Sequence, residues 1–216
     1  MIKSNFREWT SDRIDEVFGT KQFKSYVALD EWLLFKTEIT DWEKEVLKRI
    51  QDPIVRGIIG WNEAEIKSKS ISPMFVLAGV YGDEFGYFLE RDLAATLDGY
   101  ELSGRVDGMI ATGVRNPKKP FFCLNEYKRF TDPDGEPQGQ ALISMLVAQE
   151  LNDLSDHVLY GCYVIGKYWT FMVLQNRQYA ISASISADGE DIYDIFRILK
   201  GLKFIVQRQI DRHRKH

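Results

Sequence analysis

The stretch from Tyr100 to Lys128 constrains the fold more than any other part of the chain. It runs Tyr100-Glu101-Leu102-Ser103-Gly104-Arg105-Val106-Asp107-Gly108, crosses a Gly/Pro/Lys loop, and ends Pro120-Phe121-Phe122-Cys123-Leu124-Asn125-Glu126-Tyr127-Lys128. Both halves read as extended segments that carry charged groups near their C-terminal ends. Strand alternation predicts that Phe122, Leu124, Glu126 and Lys128 share one face. An apolar face that ends in a carboxylate and an ammonium is costly to desolvate unless those groups find partners. Asp107, near the end of the neighbouring strand, is the expected partner. Two carboxylates and a lysine converging at a sheet edge suit a hard divalent cation. An isolated Glu-x-Lys reads simply as a surface ion pair. The signal becomes specific through Asp107 upstream, the hairpin around it and the helix that follows.

The flanking sequence supplies that context. Residues 1–60 read as mainly helical: Ser11 caps a helix through Phe18 that Gly19 stops, and Tyr26–Phe35 is ambiguous between strand and helix. Thr40-Asp41-Trp42-Glu43 is a capping box, opening a helix expected to end near Asp52-Pro53. Asn62 caps a further helix with Glu63 and Glu65 in its first turn, where acids favour the dipole, and Ser72-Pro73 marks a kink or restart. Phe75, Val76, Leu77 and Val80 are expected to bury that helix. Leu93, Ala95 and Leu97 alternate up to Asp98-Gly99, a two-residue hairpin turn. Gly113–Pro120 reads as a solvated loop, as does Thr131–Pro137. The helix Gln138–Gln149 follows, with Gln140 in its first turn close to the end of the Glu126 strand. Val158–Ile165 and Tyr168–Leu174 form a hairpin. Tyr179–Ser186 alternates as a half-buried strand, and Asp191–Gln209 is an amphipathic helix before a basic tail.

Composition narrows the class. The 216 residues are 44% hydrophobic and 28% charged, as in a globular protein with a substantial core. No apolar run reaches ~20 residues, so no membrane span or membrane partner is expected. Met1–Phe6 has no signal-peptide core, and a cytoplasmic location is expected. Cys123 and Cys162 sit in apolar runs and read as small buried hydrophobes in a reducing compartment. Three histidines, two of them in the last four residues, argue against a histidine zinc site or a serine–histidine triad. The net charge of −4 counts against a broad nucleic-acid-coating surface but leaves room for a local groove.

The order of these motifs resembles the PD-(D/E)XK nuclease superfamily, with its restriction-endonuclease-like fold. Asn62-Glu63 through Ser72-Pro73 looks like the first core helix of the nuclease module in type I restriction motor subunits and related small bacterial proteins. Ser103-Gly104-Arg105-Val106-Asp107, Asn125-Glu126-Tyr127-Lys128 and Gly139-Gln140-Ala141-Leu142-Ile143-Ser144-Met145 are similar to uncharacterised bacterial members. The likeness spans roughly residues 61–175, and Val106 stands where the signature has Pro. It implies an α/β fold with a mixed central sheet flanked by helices, as one domain: a helical extension over 1–60, a core over 61–209 and a basic tail over 210–216. It implies that Asp107, Glu126 and the Tyr127 carbonyl bind Mg²⁺ or Mn²⁺, that Lys128 orients the attacking water, and that Glu63 and Gln140 assist. The implied partner is nucleic acid, DNA in preference to RNA, and a homodimer is allowed; the implied setting is restriction or mobile-element defence. The rival reading is a non-catalytic nucleic-acid-binding or assembly module on the same fold.

Overall fold

The computed structural model describes residues 1–130, 135–153 and 157–214. Its elements, in chain order, are β1 (Ile2–Asn5), a 3₁₀ turn (Phe6–Glu8), α1 (Ser11–Phe18), β2 (Lys21–Phe23), α2 (Val27–Leu33) and α3 (Asp41–Gly57). After a second 3₁₀ turn (Ile58–Gly60) come α4 (Glu63–Ile66), a π-helical turn (Lys67–Ile71) and α5 (Ser72–Leu77). The remainder is β3 (Phe85–Leu97), β4 (Tyr100–Thr112), β5 (Lys118–Lys128), α6 (Pro137–Asn152), β6 (Leu159–Ile165), β7 (Tyr168–Gln175), β8 (Gln178–Ile181), β9 (Ile185–Ser186) and α7 (Ile192–His213). The class is α/β, with a mixed sheet between helices. Among the described residues the nine strands form one sheet in the order β1-β4-β5-β6-β7-β8-β2, with β3 also on β4 and β9 on β7.

Two apolar clusters lie on the two faces of this sheet. One joins Leu29 and Trp32 of α2, Leu47 and Ile54 of α3, Phe75 of α5 and the stripe of α7 to Val164, Trp169 and Phe171. The other joins Phe6, Trp9, Ile14 and Phe18 to α6 and to Leu124, Met109, Met172 and Leu174. Helix α6 is buried continuously from Gly139 to Gln149. Its run Ala141-Leu142-Ile143-Ser144-Met145-Leu146-Val147-Ala148 has no polar stripe, as a helix covered on all sides requires.

Local signals set several elements where expected. Asp98 (φ 45°) and Gly99 (φ 85°) both take left-handed conformations and turn β3 into β4 with Leu97 opposite Tyr100. The Thr40–Glu43 capping box is formed, as is a second between Asn62 and Glu65. Thr40→Ala is expected to cost about 1 kcal/mol, measured by urea denaturation against wild type.

Other expectations need correction. Thr10, rather than Ser11, caps α1, accepting from the Arg13 N–H. Ser11 instead donates its N–H and hydroxyl to the Glu136 carboxylate at 2.9 and 2.8 Å, clamping the start of α1 to the start of α6. Tyr26–Phe35 resolves into helix α2. Helix α3 runs through Pro53 to Gly57, because Ile54 continues the buried stripe of Leu47 and Ile50. Val76 is exposed, while Phe75 and Val80 are buried. β5 already begins at Lys118. The strand expected over 179–186 is two short strands, β8 and β9, separated by three residues with Ala183 and Ser184 exposed. Helix α7 continues through Arg208 and Arg212. Residues 131–134 of the expected polar loop, and Lys215 and His216 of the tail, lie outside the described residues.

The N-terminal 60 residues are more than a helical flank. They hold three α-helices, and they also contribute β1, parallel to β4, and β2, parallel to β8.

Candidate active site

The site lies inside the sheet, at a fork, instead of at a sheet edge. One side of β4 pairs with β3 along its length. The other side pairs with β1 over Tyr100–Ser103 and with β5 over Gly108–Thr112. Between those two partners, no strand among the described residues pairs with Gly104–Asp107 on that side, and a cleft of about 850 Å³ opens there. Gly104 holds the fork together, since a Cβ there would stand 2.4 Å from the Phe6 ring. The cleft is lined by Asp107, Glu126, Lys128, Gln140, Glu63 and Lys67, with walls from Asn5–Arg7 and from Glu90–Ala94 apart from Arg91. All five side chains expected to face one cleft therefore do so.

The predicted face of β5 is right at its end and wrong at its start. Ile110 pairs with Cys123 but Ala111 pairs with Phe121, so Phe122 is the extra residue of a bulge. Phe122 consequently packs with Cys123 and Tyr127 in the cluster opposite Leu124. Asn152, at the end of α6, accepts from the Phe121 N–H and donates to its carbonyl, both at 2.8 Å, satisfying backbone groups beside the bulge. Beyond the bulge, alternation puts Leu124, Glu126 and Lys128 together. Gly108 opposite Asn125 brings Asp107 and Glu126 to facing positions, one step past the last regular pair.

The polar groups are engaged with one another. Asp107 Oδ2 accepts from the Tyr127 N–H at 2.8 Å, and Asp107 Oδ1 accepts from Lys67 Nζ at 2.7 Å. Lys128 Nζ stands 3.0 Å from Glu126 Oε1 and 3.9 Å from Glu63 Oε1. Glu126, Lys128 and Gln140 are all buried. Gln140 sits one turn into α6, where the Ser11–Glu136 clamp and the approach of Gly139 to the Trp9 carbonyl fix the helix start. Cys123 and Cys162 are buried free thiols, both donating to Asn125 Oδ1.

Electrostatics mark Glu126. Burial and the neighbouring Asp107 charge push its carboxyl up to about 7, against the opposing pull of Lys128. The protonated form is thus favoured in the folded protein relative to the unfolded chain. That contribution is fully present below the ordinary glutamate range and is lost as pH rises through about 7. Stability of the metal-free protein is therefore expected to fall by roughly 3 kcal/mol between about pH 4.5 and pH 8. Glu126→Gln should flatten this slope in melting curves taken across that range; an unchanged slope would assign it to another group.

Among the described residues, no three His, Cys, Asp or Glu side chains gather into a ready metal cage. The pair Asp107 and Glu126 still fits a hard cation. Two facing carboxylates, one of them held partly protonated by burial and by the other's charge, form a site short of positive charge, and an ammonium already stands on Asp107 Oδ1. Mg²⁺ is commonly held by one or two carboxylates, with water completing its shell.

Lys67 was not singled out from the sequence. It follows Glu63 by four positions, the spacing that puts two side chains on one helix face, and that was the available signal. Burial works to lower its pKa, but the hydrogen bonds and charges of Asp107 and Glu90 outweigh it and hold the ammonium above the ordinary lysine range. No family model matches this chain, and a search of curated proteins found no match either. Among the described residues no helix is long and apolar enough to cross a membrane.

Proposed function

We propose that this chain is a divalent-metal-dependent nuclease on a restriction-endonuclease-like core, hydrolysing phosphodiester bonds, of DNA in preference to RNA. The observation that carries the reading is the facing pair Asp107 and Glu126 with Lys128 3.0 Å from Glu126 in one open cleft. Asp107 Oδ1, Glu126 and the Tyr127 carbonyl are the groups that would hold Mg²⁺ or Mn²⁺. Bound there, the ion would supply Lewis acidity and a more acidic water. Lys128 keeps a positive charge, fixed by its buried stem, where negative charge grows on the attacked phosphorus group. Glu63, across from Lys128, steadies that ammonium from the first helix. Gln140 lines the same cleft from the first turn of α6.

The test is melting with and without Mn²⁺, paired with cleavage assays on single-stranded DNA, duplex DNA and RNA. At ~100 times its Kd the ion is expected to stabilise wild type by about 2.7 kcal/mol. Asp107→Asn should remove that gain, and the metal-free variant should melt below wild type because the largely buried Lys67 ammonium loses its counter-charge. An equal metal shift in both proteins would place the ion elsewhere. The second reading, a non-catalytic nucleic-acid-binding module, is favoured by one observation: Lys67 already neutralises Asp107. It takes precedence if wild type binds nucleic acid and no substrate class is cut in Mg²⁺ or Mn²⁺.

A further inference from the structure

Both oxygens of Asp107 are in use, and the partners differ in kind. The Tyr127 N–H on Oδ2 belongs to the backbone of β5 and stays where the sheet puts it. The Lys67 ammonium on Oδ1 sits at the end of a flexible stem, with its second contact to Glu90 Oε1 at 3.2 Å. Two irregularities converge on this ammonium. The π-helical turn starts at Lys67 itself, an irregularity frequent at functional sites. On the facing strand, Leu89 pairs with Gly108 and Arg91 with Val106, so Glu90 stands opposite Asp107 in a left-handed conformation with φ 52°. A non-glycine residue there carries backbone strain that its surroundings must sustain. Two elements thus depart from regular geometry at the place where Lys67, Glu90 and Asp107 meet. The Lys67 side chain is 14% exposed and that of Asp107 16%, so the pair is only weakly screened by water. A divalent cation cannot share Asp107 Oδ1 with an ammonium at 2.7 Å without strong like-charge repulsion.

Resting on the nuclease reading, we propose that Lys67 is a tethered counter-cation of Asp107, occupying the metal-free site and leaving Asp107 for Glu90 and the cleft mouth when a divalent cation takes its place. The fixed Tyr127 N–H orients Asp107, and the Lys67 ammonium competes with the ion for Oδ1 and so sets how tightly it binds.

The experiment uses the full chain and Ca²⁺ as probe, with two readouts. Calorimetric titration compares wild type with Lys67→Met, which keeps most of the stem, and with Arg105→Met, which removes a cleft charge paired to Asp92 instead of Asp107. Lys67→Met is expected to bind Ca²⁺ roughly tenfold more tightly. Arg105→Met should change the Kd no more than about twofold, as expected of an exposed pair. The second readout needs no variant. Reductive methylation of Lys67 in wild type, quantified by mass spectrometry, should rise severalfold when Ca²⁺ saturates the protein. Both results are required. If wild type binds Ca²⁺ while Lys67 keeps its protection, or if the two variants shift the Kd equally, the exchange is refuted and the nuclease reading stands. If only Lys67→Met binds, Lys67 is a lock that the ion does not open, and exchange is again refuted. If neither binds Ca²⁺, the nuclease reading falls, and this inference falls with it.

Discussion

Lys128→Met is expected to lower single-turnover cleavage by roughly 10²–10³ at saturating Mg²⁺, the scale of losing one preorganised donor. Methionine retains the apolar stem that packs at the end of β5, so the change isolates the ammonium. That ammonium stands 3.0 Å from Glu126, which is itself buried. Its removal takes a counter-charge from the carboxylate, and the folded protein responds by keeping Glu126 protonated to higher pH. Metal binding should therefore be compared at pH 8 or above, where proton competition is least. There the variant is expected to bind Ca²⁺ and nucleic acid close to wild type while cutting slowly. Glu126→Gln should lose metal binding and cleavage together. Equal cleavage by Lys128→Met and wild type would show that this lysine is not the catalytic group, even in an active nuclease.

Trp9→Ala carries the largest expected cost in stability, about 3–5 kcal/mol, or a fall in Tm of roughly 10 °C for a chain of this size. Trp9 is fully buried, tilted against Phe18 at 5.0 Å and edge-on to Tyr100 at 5.3 Å. Its carbonyl lies so near Gly139 that a Cβ there would stand 2.4 Å away. The indole therefore joins α1 to the start of β4, while the backbone of the same residue meets the start of α6. The effect should extend to the cleft, since Gln140 follows Gly139 directly. Urea denaturation gives the stability, and amide exchange over 137–141 reports whether the start of α6 loosens. A cost below about 1 kcal/mol would mean that the N-terminal segment is peripheral to the core.

Features written in short, local chemistry were legible. Asp98-Gly99 specifies its turn through two left-handed residues, Thr40–Glu43 specifies its helix start through reciprocal side-chain bonds, and Asn62 specifies the next as its cap. The convergence of Asp107, Glu126 and Lys128 was legible because β5 alternates regularly over its last residues. What was not legible depends on distant partners. Ile2-Lys3-Ser4-Asn5 and Lys21-Gln22-Phe23 have little strand character of their own and become strands only by pairing with β4 and β8. The bulge at Phe122 leaves no mark in an apolar run, where either face would be buried. Pro53 announces a helix end, yet the buried stripe through Ile54 outweighs one missing backbone hydrogen bond. Lys67 carries no mark in the sequence of its pairing with Asp107, which only the approach of the first helix to β4 creates.

The fork that opens the cleft also fixes when the cleft can exist. Its first wall is β1, and Ile2 pairs with Tyr100; the sheet's other border is β2, where Lys21 pairs with Gln178. Both pairings are parallel and join the start of the chain to segments made much later, the kind of contact that slows folding. At ribosomal speeds of about 5–20 residues per second, β2 waits roughly 8–30 s before its partner is synthesised. During that interval Asp107, Glu126 and Lys128 can be present on the nascent chain while the sheet around them is still incomplete. β1 and β2, although made before their partners, thus take their places in the sheet only after β4 and β8 have been made.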